Sequence, residues 1–143
     1  MASGPFVRDV EHWLLRLSSD EWIQAALTEL RQAERAFSLR DSVAGMTGLR
    51  RACGMALNGA LVVSPRESWG RTYVQHLEGL SAQAQVPASV REAARLVLDA
   101  QPPASGLAAL RSQAMDQRLL DAARTVMAHA YAVVYGSQGR EVE

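Results

Sequence analysis

The sequence predicts an all-α fold, an up-and-down helical bundle of about four long helices with one or two short ones. Apolar residues recur at the three- and four-residue spacing of an α-helix along most of the 143-residue chain. Helix-capping patterns stand where several of these apolar stripes begin. No segment alternates between apolar and polar residues and then turns, as paired strands do.

The composition predicts a single domain over residues 1–143 with its core at about 20–136. Hydrophobic residues make up 48% of the chain, which is enough for a core without metals or disulfides. Cys53 is the single cysteine and lies in an apolar helical stretch, so we expect a buried, inert thiol. The longest apolar run, 126–135, is too short to span a bilayer. No targeting segment is visible, and we expect a cytoplasmic protein without membrane contact.

The charges argue against binding that depends on a strong overall field. Fifteen arginines balance fifteen acidic residues, and the chain contains no lysine. A neutral domain lacks the positive potential that drives nonspecific association with nucleic acids. Any contact with RNA or a nucleotide would therefore require a local basic patch.

The first half of the chain predicts one short and two long helices. Pro5 is placed to open a short helix over 6–17. Ser18 and Glu21 have the spacing of a capping box, which predicts a helix from there to about Arg40. The next helix, 42–63, is rich in small residues, namely Gly45, Gly48, Ala52, Gly54, Ala56, Gly59 and Ala60. Such residues weaken a helix, so we expect neighbouring helices to cross it closely; a kink at a glycine is the alternative.

The second half predicts two shorter helices and a long closing one. Pro65 is placed to open a helix that carries Trp69 on its apolar face and ends near Gln83. Pro87 opens the next helix. The segment 101–106 is rich in proline and glycine, which indicates a loop.

The closing helix is predicted from about Ala114 to Tyr135. Its second half is apolar almost all round, which indicates burial on several sides. Gly136 is placed to stop it, and residues 137–143 are predicted to form a loose tail.

The side chains with the most chemical potential are Arg124 and His129 on the closing helix. A guanidinium binds a phosphate through two nitrogens, and an imidazole transfers protons near neutral pH. Together they could help a 2′-hydroxyl of RNA attack the adjacent phosphate without a metal. Five residues at about 100° each place the two side chains about 140° apart around the helix axis. No spacing typical of a zinc site or a phosphate-binding glycine loop is present, so we expect neither a metal nor a cofactor.

Plainer interpretations of these residues remain open. Arg71 and His76 repeat the same spacing, which chance alone produces about once in a chain of this composition. His129 is also explained as a core or interface histidine bonded to a backbone carbonyl, and His76 as a helix-face residue at the edge of the bundle. Tyr131 could stack on a base or pack in a core or interface.

The order of these features resembles the HEPN superfamily of small all-α domains over roughly residues 20–136. The likeness lies in a long, charged first helix, a second helix dense in small residues, the His76-Leu77-x-x-Leu80 element, and Arg124 followed by His129. The resemblance implies a dimer with the closing helices near the two-fold axis, where two Arg-His pairs would share one cleft. Ribonuclease members commonly have Asn, Asp or His directly after the arginine, and here Thr125 follows it.

Three hypotheses for the function follow. The first is a non-catalytic HEPN-like module that binds a nucleotide, RNA or a partner protein as a homodimer through the closing helix, with Arg124, His129 and Tyr131 at the binding site. A nucleotidyltransferase-type protein is one such partner. The second is a metal-independent endoribonuclease that uses Arg124 and His129. The third is a structural bundle without a ligand.

Overall fold

The structure, a computed structural model, describes the backbone of residues 16–101 and 106–142 and is helical over most of them. The elements are α1 (Ser19–Ser38), α2 (Ser42–Val63), a 3-10 turn (Glu67–Trp69), α3 (Tyr73–Ala82), α4 (Ala88–Asp99) and α5 (Gly106–Val142). The described ranges contain no strand, and the predicted all-α class is confirmed. The short helix predicted at 6–17 falls almost entirely outside the described residues.

The start of α1 is the capping box that the sequence predicts. The backbone N–H of Glu21 donates to Ser18 Oγ at 3.1 Å, and the N–H of Ser18 donates to Glu21 Oε1 at 2.8 Å. These two bonds satisfy amides that the first helical turn leaves without partners. The apolar face of α1 then packs on α2, with its buried side chains being Trp22, Ile23, Ala26, Leu30, Ala33 and Phe37.

Helix α2 is the centre of the bundle, and α1, α3 and α5 all pack against it. A Cβ added to Gly54 would lie 2.0 Å from Tyr73 Cδ1 on α3, and one added to Gly59 would lie 3.0 Å from the Ser19 carbonyl oxygen on α1. Because α2 is continuous from Ser42 to Val63, these contacts favour close crossing over a kink as the reason for its glycines.

The prediction that a helix begins at Pro65 is wrong. Only a 3-10 turn follows that proline, and Gly70 then takes a φ of 67°, which a helix cannot contain. Helix α3 begins later, with Thr72 as its N-cap and Gln75 closing a second capping box. Trp69 is therefore not on α3; it lies before the helix and is 5% exposed.

The closing helix is longer than predicted at both ends. Helix α5 begins at Gly106 rather than near Ala114, and it passes through Gly136 to Val142. The predicted stop at Gly136 and the loose tail over 137–142 are therefore wrong. A glycine inside a helix costs only about 1 kcal/mol relative to alanine, which does not by itself end a helix.

Polar contacts fix the order and direction of the helices around α2. Ser42 donates to Asp116 at 3.2 Å, and the Cys53 thiol lies 3.9 Å from the Ala123 carbonyl, so α2 and α5 run in the same direction. Helix α4 begins after Pro87 as predicted. Arg50 donates to three carbonyls at the end of α4, those of Val97, Leu98 and Ala100. None of the helices in the described part of the chain combines the length and apolar character needed to cross a bilayer.

The close approach of α3 to α2 gives a test in a matched pair of variants. We expect Gly54→Ala to lower the free energy of unfolding by about 1–3 kcal/mol, because the new methyl group overlaps the Tyr73 ring. Gly136→Ala is the control, since its Cβ would meet nothing within 4 Å. This control should raise stability by up to about 1 kcal/mol through helix propensity. Urea denaturation measures both; equal stability of Gly54→Ala and wild type would contradict the packing.

Candidate functional site

Arg124 lies on the outer face of α5, where two carboxylates already bind it. Its Nη2 donates to Glu34 on α1 at 2.5 Å and its Nη1 donates to Asp121 at 3.0 Å. The bond to Glu34, followed by the charges of both carboxylates, raises the pKa of Arg124. A phosphate would compete with these two carboxylates for the guanidinium.

An apolar groove of about 250 Å³ runs beside Arg124, between α1 and α5, and we call it the α1–α5 groove. Its lining residues are Ile23, Leu27, Leu30, Ala56, Arg124, Met127, Ala128 and Tyr131. Helices α1 and α5 both pack on α2 but contact each other only slightly, which leaves this space between them. Two polar contacts cross the groove, Arg124 with Glu34 and Tyr135 with Asp20.

Tyr131 stands at the edge of this groove rather than in a core. It is 54% exposed, and its ring lies 4.4 Å from the ring of Tyr135, centroid to centroid. The hydrogen bond from Tyr135 to Asp20 raises the pKa of that phenol to about 12. An exposed aromatic ring beside an open apolar groove is typical of a protein contact surface.

His129 faces a different space, a cavity of about 150 Å³ that we call the α2–α5 cavity. Its apolar lining residues are Leu57, Ala60, Leu61, Val86 and Val133. The other lining residues are Ser64, Arg66, Trp69, Gln83, Gln85 and His129. The structure therefore separates Arg124 from His129 within one chain, as their predicted angle around the helix implies.

The cationic neighbour of His129 is Arg66. No pattern in the sequence connects these two residues. The Arg66 guanidinium carbon lies 5.9 Å from the centre of the Trp69 ring. Burial, followed by the positive charge of Arg66, lowers the pKa of His129. In the part of the chain that the structure describes, no Asp or Glu lines this cavity. The backbone-carbonyl bond that one interpretation gave His129 is absent among the described residues.

His76 is a structural residue in the centre of the domain, and its predicted place at the edge of the bundle is wrong. The ring is 0% exposed, with Nδ1 2.9 Å from the Trp69 carbonyl oxygen and Nε2 2.8 Å from the Asn58 side-chain amide. Nδ1 donates, because a carbonyl only accepts. Nε2 faces Oδ1 of Asn58, and burial, partly offset by the bond to the Trp69 carbonyl, lowers the pKa of His76. The network ties α2 to the turn before α3.

Cys53 and Trp69 are buried in the described part of the chain. Cys53 is fully buried, as predicted, and burial raises its pKa to about 12. Among the described residues, no group of three or more His, Cys, Asp or Glu side chains could hold a metal ion. The Nε1–H of Trp69 is buried without a hydrogen-bond partner and lies beside Gly79.

Comparison of the chain with protein-family models, curated proteins and solved structures finds no match. The class of this protein is therefore defined by its fold and by the geometry of its groove and cavity. The chain is a helical bundle with an apolar groove on one side of α5 and a cavity lined by basic side chains on another.

The His76 network gives a stability test. We expect Asn58→Ala to lower the free energy of unfolding by about 1–3 kcal/mol, because it leaves a buried ring nitrogen without its partner. Ser38→Ala is the control, since it removes an exposed hydrogen bond to the Arg35 carbonyl. Urea denaturation at pH 7 compares the two. A change in Asn58→Ala no larger than in the control would contradict a structural role for the pair.

The coupling between Arg66 and His129 is open to direct measurement. We expect Arg66→Gln to raise the pKa of His129 towards its ordinary value, because one of the two causes that lower it is removed. The folded pKa lies below that of the unfolded chain, so neutral His129 contributes stability above about pH 6.5 that is lost as pH falls towards the folded value. NMR titration of the imidazole measures the shift, with Arg31→Gln as the control. An unchanged pKa in Arg66→Gln would refute the coupling.

Proposed function

We propose that the chain is a non-catalytic helical module that forms a homodimer through the α1–α5 groove. The observation that carries this proposal is an exposed aromatic side chain, Tyr131, at the edge of an open apolar groove. Tyr131 projects beside the groove, and the groove is an apolar depression of a size to receive a side chain. In a dimer with a two-fold axis, one patch must supply both the projection and the depression, because each copy contacts the other through the same residues.

The charges around the groove also suit pairing with a second copy. Arg124 is positive, while Glu34 and Asp121 beside it are negative, so the patch has both signs close together. Such a surface avoids the repulsion that a patch of one sign would meet in its own copy. The resemblance to the HEPN superfamily implies contact at this same closing helix, and that relationship is part of the proposal.

The arrangement supports a binding role better than catalysis. Within one chain Arg124 lines the groove and His129 lines the cavity, so neither of these two spaces holds both among the described residues. Arg124 is also engaged by two carboxylates. Of the ligands considered from the sequence, a protein surface fits the groove better than a nucleotide or RNA, because its lining is apolar and its one basic side chain is paired.

The dimer is tested by sedimentation equilibrium of wild type and two aspartate variants. We expect the wild type to form a dimer and Tyr131→Asp to weaken it by at least about thirtyfold, the loss typical of a central aromatic contact. Val74→Asp on α3 is the control, because Val74 is 49% exposed and away from the groove. A monomeric wild type, or equal weakening by both variants, would refute the proposal.

The same protein preparations test the ribonuclease hypothesis in an RNA cleavage assay. We expect wild-type protein to leave a mixture of structured and single-stranded RNAs intact in EDTA. Cleavage that is present in wild type and lost in His129→Ala and Arg124→Gln, with both variants folded, would instead establish a catalytic site shared across the dimer.

A further inference from the structure

The α2–α5 cavity is lined by two basic side chains. Arg66 and His129 both line it, and no carboxylate is among its described lining residues. Neither side chain has a hydrogen-bond or ion-pair partner among the described residues. The Arg66 guanidinium gives the cavity a positive potential that favours an anion, and the imidazole of His129 adds a hydrogen-bond donor.

The position of Arg66 leaves its donors available. Its guanidinium carbon lies 5.9 Å from the centre of the Trp69 ring, a cation–π contact that engages the charge of the group. A guanidinium has five N–H donors, and none of those of Arg66 is bonded to another of the described residues. Two parallel N–H groups match the two oxygens of a carboxylate, and a protonated or neutral imidazole adds one more donor.

The interior of the cavity sets the size and polarity of the rest of the ligand. Its deeper lining is aliphatic and includes Leu57, Leu61 and Val133. The volume is about 150 Å³, the size of an apolar cavity that holds one benzene molecule in another protein. A nucleotide is much larger than this space, whereas a single ring or a short branched chain fits it.

We propose that the α2–α5 cavity binds a small organic carboxylate, with its apolar body among the aliphatic side chains and its carboxylate between Arg66 and His129. The site lies on a different side of α5 from the groove proposed for dimerisation, and it does not depend on that proposal. Neither Arg124 nor Tyr131 takes part in it.

The test uses benzoate as the probe and three compounds that each lack one feature of it. Benzamide keeps the shape without the charge, acetate keeps the carboxylate without the ring, and inorganic phosphate is an anion without an apolar body. NMR follows the His129 imidazole signals, which are assigned by their loss in His129→Gln. We expect benzoate to bind with a Kd of about 1 mM or tighter and each of the others at least about tenfold more weakly.

Substitutions at Arg66 test whether benzoate binds in the α2–α5 cavity. We expect Arg66→Gln to weaken benzoate binding at least about tenfold, and Arg66→Lys to weaken it less, because lysine keeps the charge but not the paired donors. Arg31→Gln on the exposed side of α1 is the control for net charge and should bind as wild type does. Arg66 is exposed, so its replacement leaves the core intact, which circular dichroism verifies.

Bound benzoate should also raise the pKa of His129, because a negative charge beside the ring favours its protonated form. Equal binding of benzamide and benzoate would show that the charge is not recognised and would overturn the proposal. Tighter binding of phosphate would overturn the apolar part of the site. Absence of any change at His129 with all four compounds would overturn it entirely.

Discussion

The close approach of neighbouring helices to α2 is made possible by glycine and alanine at the positions where most helices carry larger side chains. Each helical glycine weakens α2 by about 1 kcal/mol relative to alanine, and packing of rings such as Tyr73 over Gly54 offsets that weakness. Because α1 and α5 both rest on this central helix, they do not need to pack tightly on each other. The α1–α5 groove is a direct consequence, and so is the depth at which His76 is buried.

A second consequence concerns α5. One side of this helix packs on α2, and two other sides line the α1–α5 groove and the α2–α5 cavity. Five residues turn a helix by about 140° net, so Arg124 and His129 leave α5 in directions that α2 and its neighbours keep apart. On the first side, carboxylates from α1 and α5 surround the arginine. On the second, Arg66 comes from the segment after α2 and brings no acidic partner among the described side chains that line the cavity. The charged neighbour that lowers the pKa of His129 is therefore brought to it by tertiary structure and not by its position along α5.

The sequence predicts elements whose signals are local. Ser18 with Glu21 locates the start of α1, and the small residues of α2 predict its close neighbours. Pro65 resembles a helix start but only a 3-10 turn follows it, whereas Thr72 and Gln75 carry the spacing of the capping box at which α3 begins. Burial of His76 depends on where α3 crosses α2; Asn58, polar within an apolar stretch, was its only local sign. Arg66 and His129 lie on separate elements, and no spacing rule brings them together.

Under the two proposals, the two sides of α5 select ligands by different physical means. The groove exposes aliphatic and aromatic surface to water, so whatever covers it gains from the area removed from solvent, and shape decides the fit. The cavity is small and its aliphatic floor accepts many compact groups, so selection there falls to the two basic side chains at its polar wall. Both proposals favour these ligands over a nucleic acid, because carboxylates pair with the arginine that lines the described part of the groove and the cavity is smaller than a nucleotide. This contrast is why a binding role with two distinct sites accounts for more of the geometry than one phosphate-cleaving centre does.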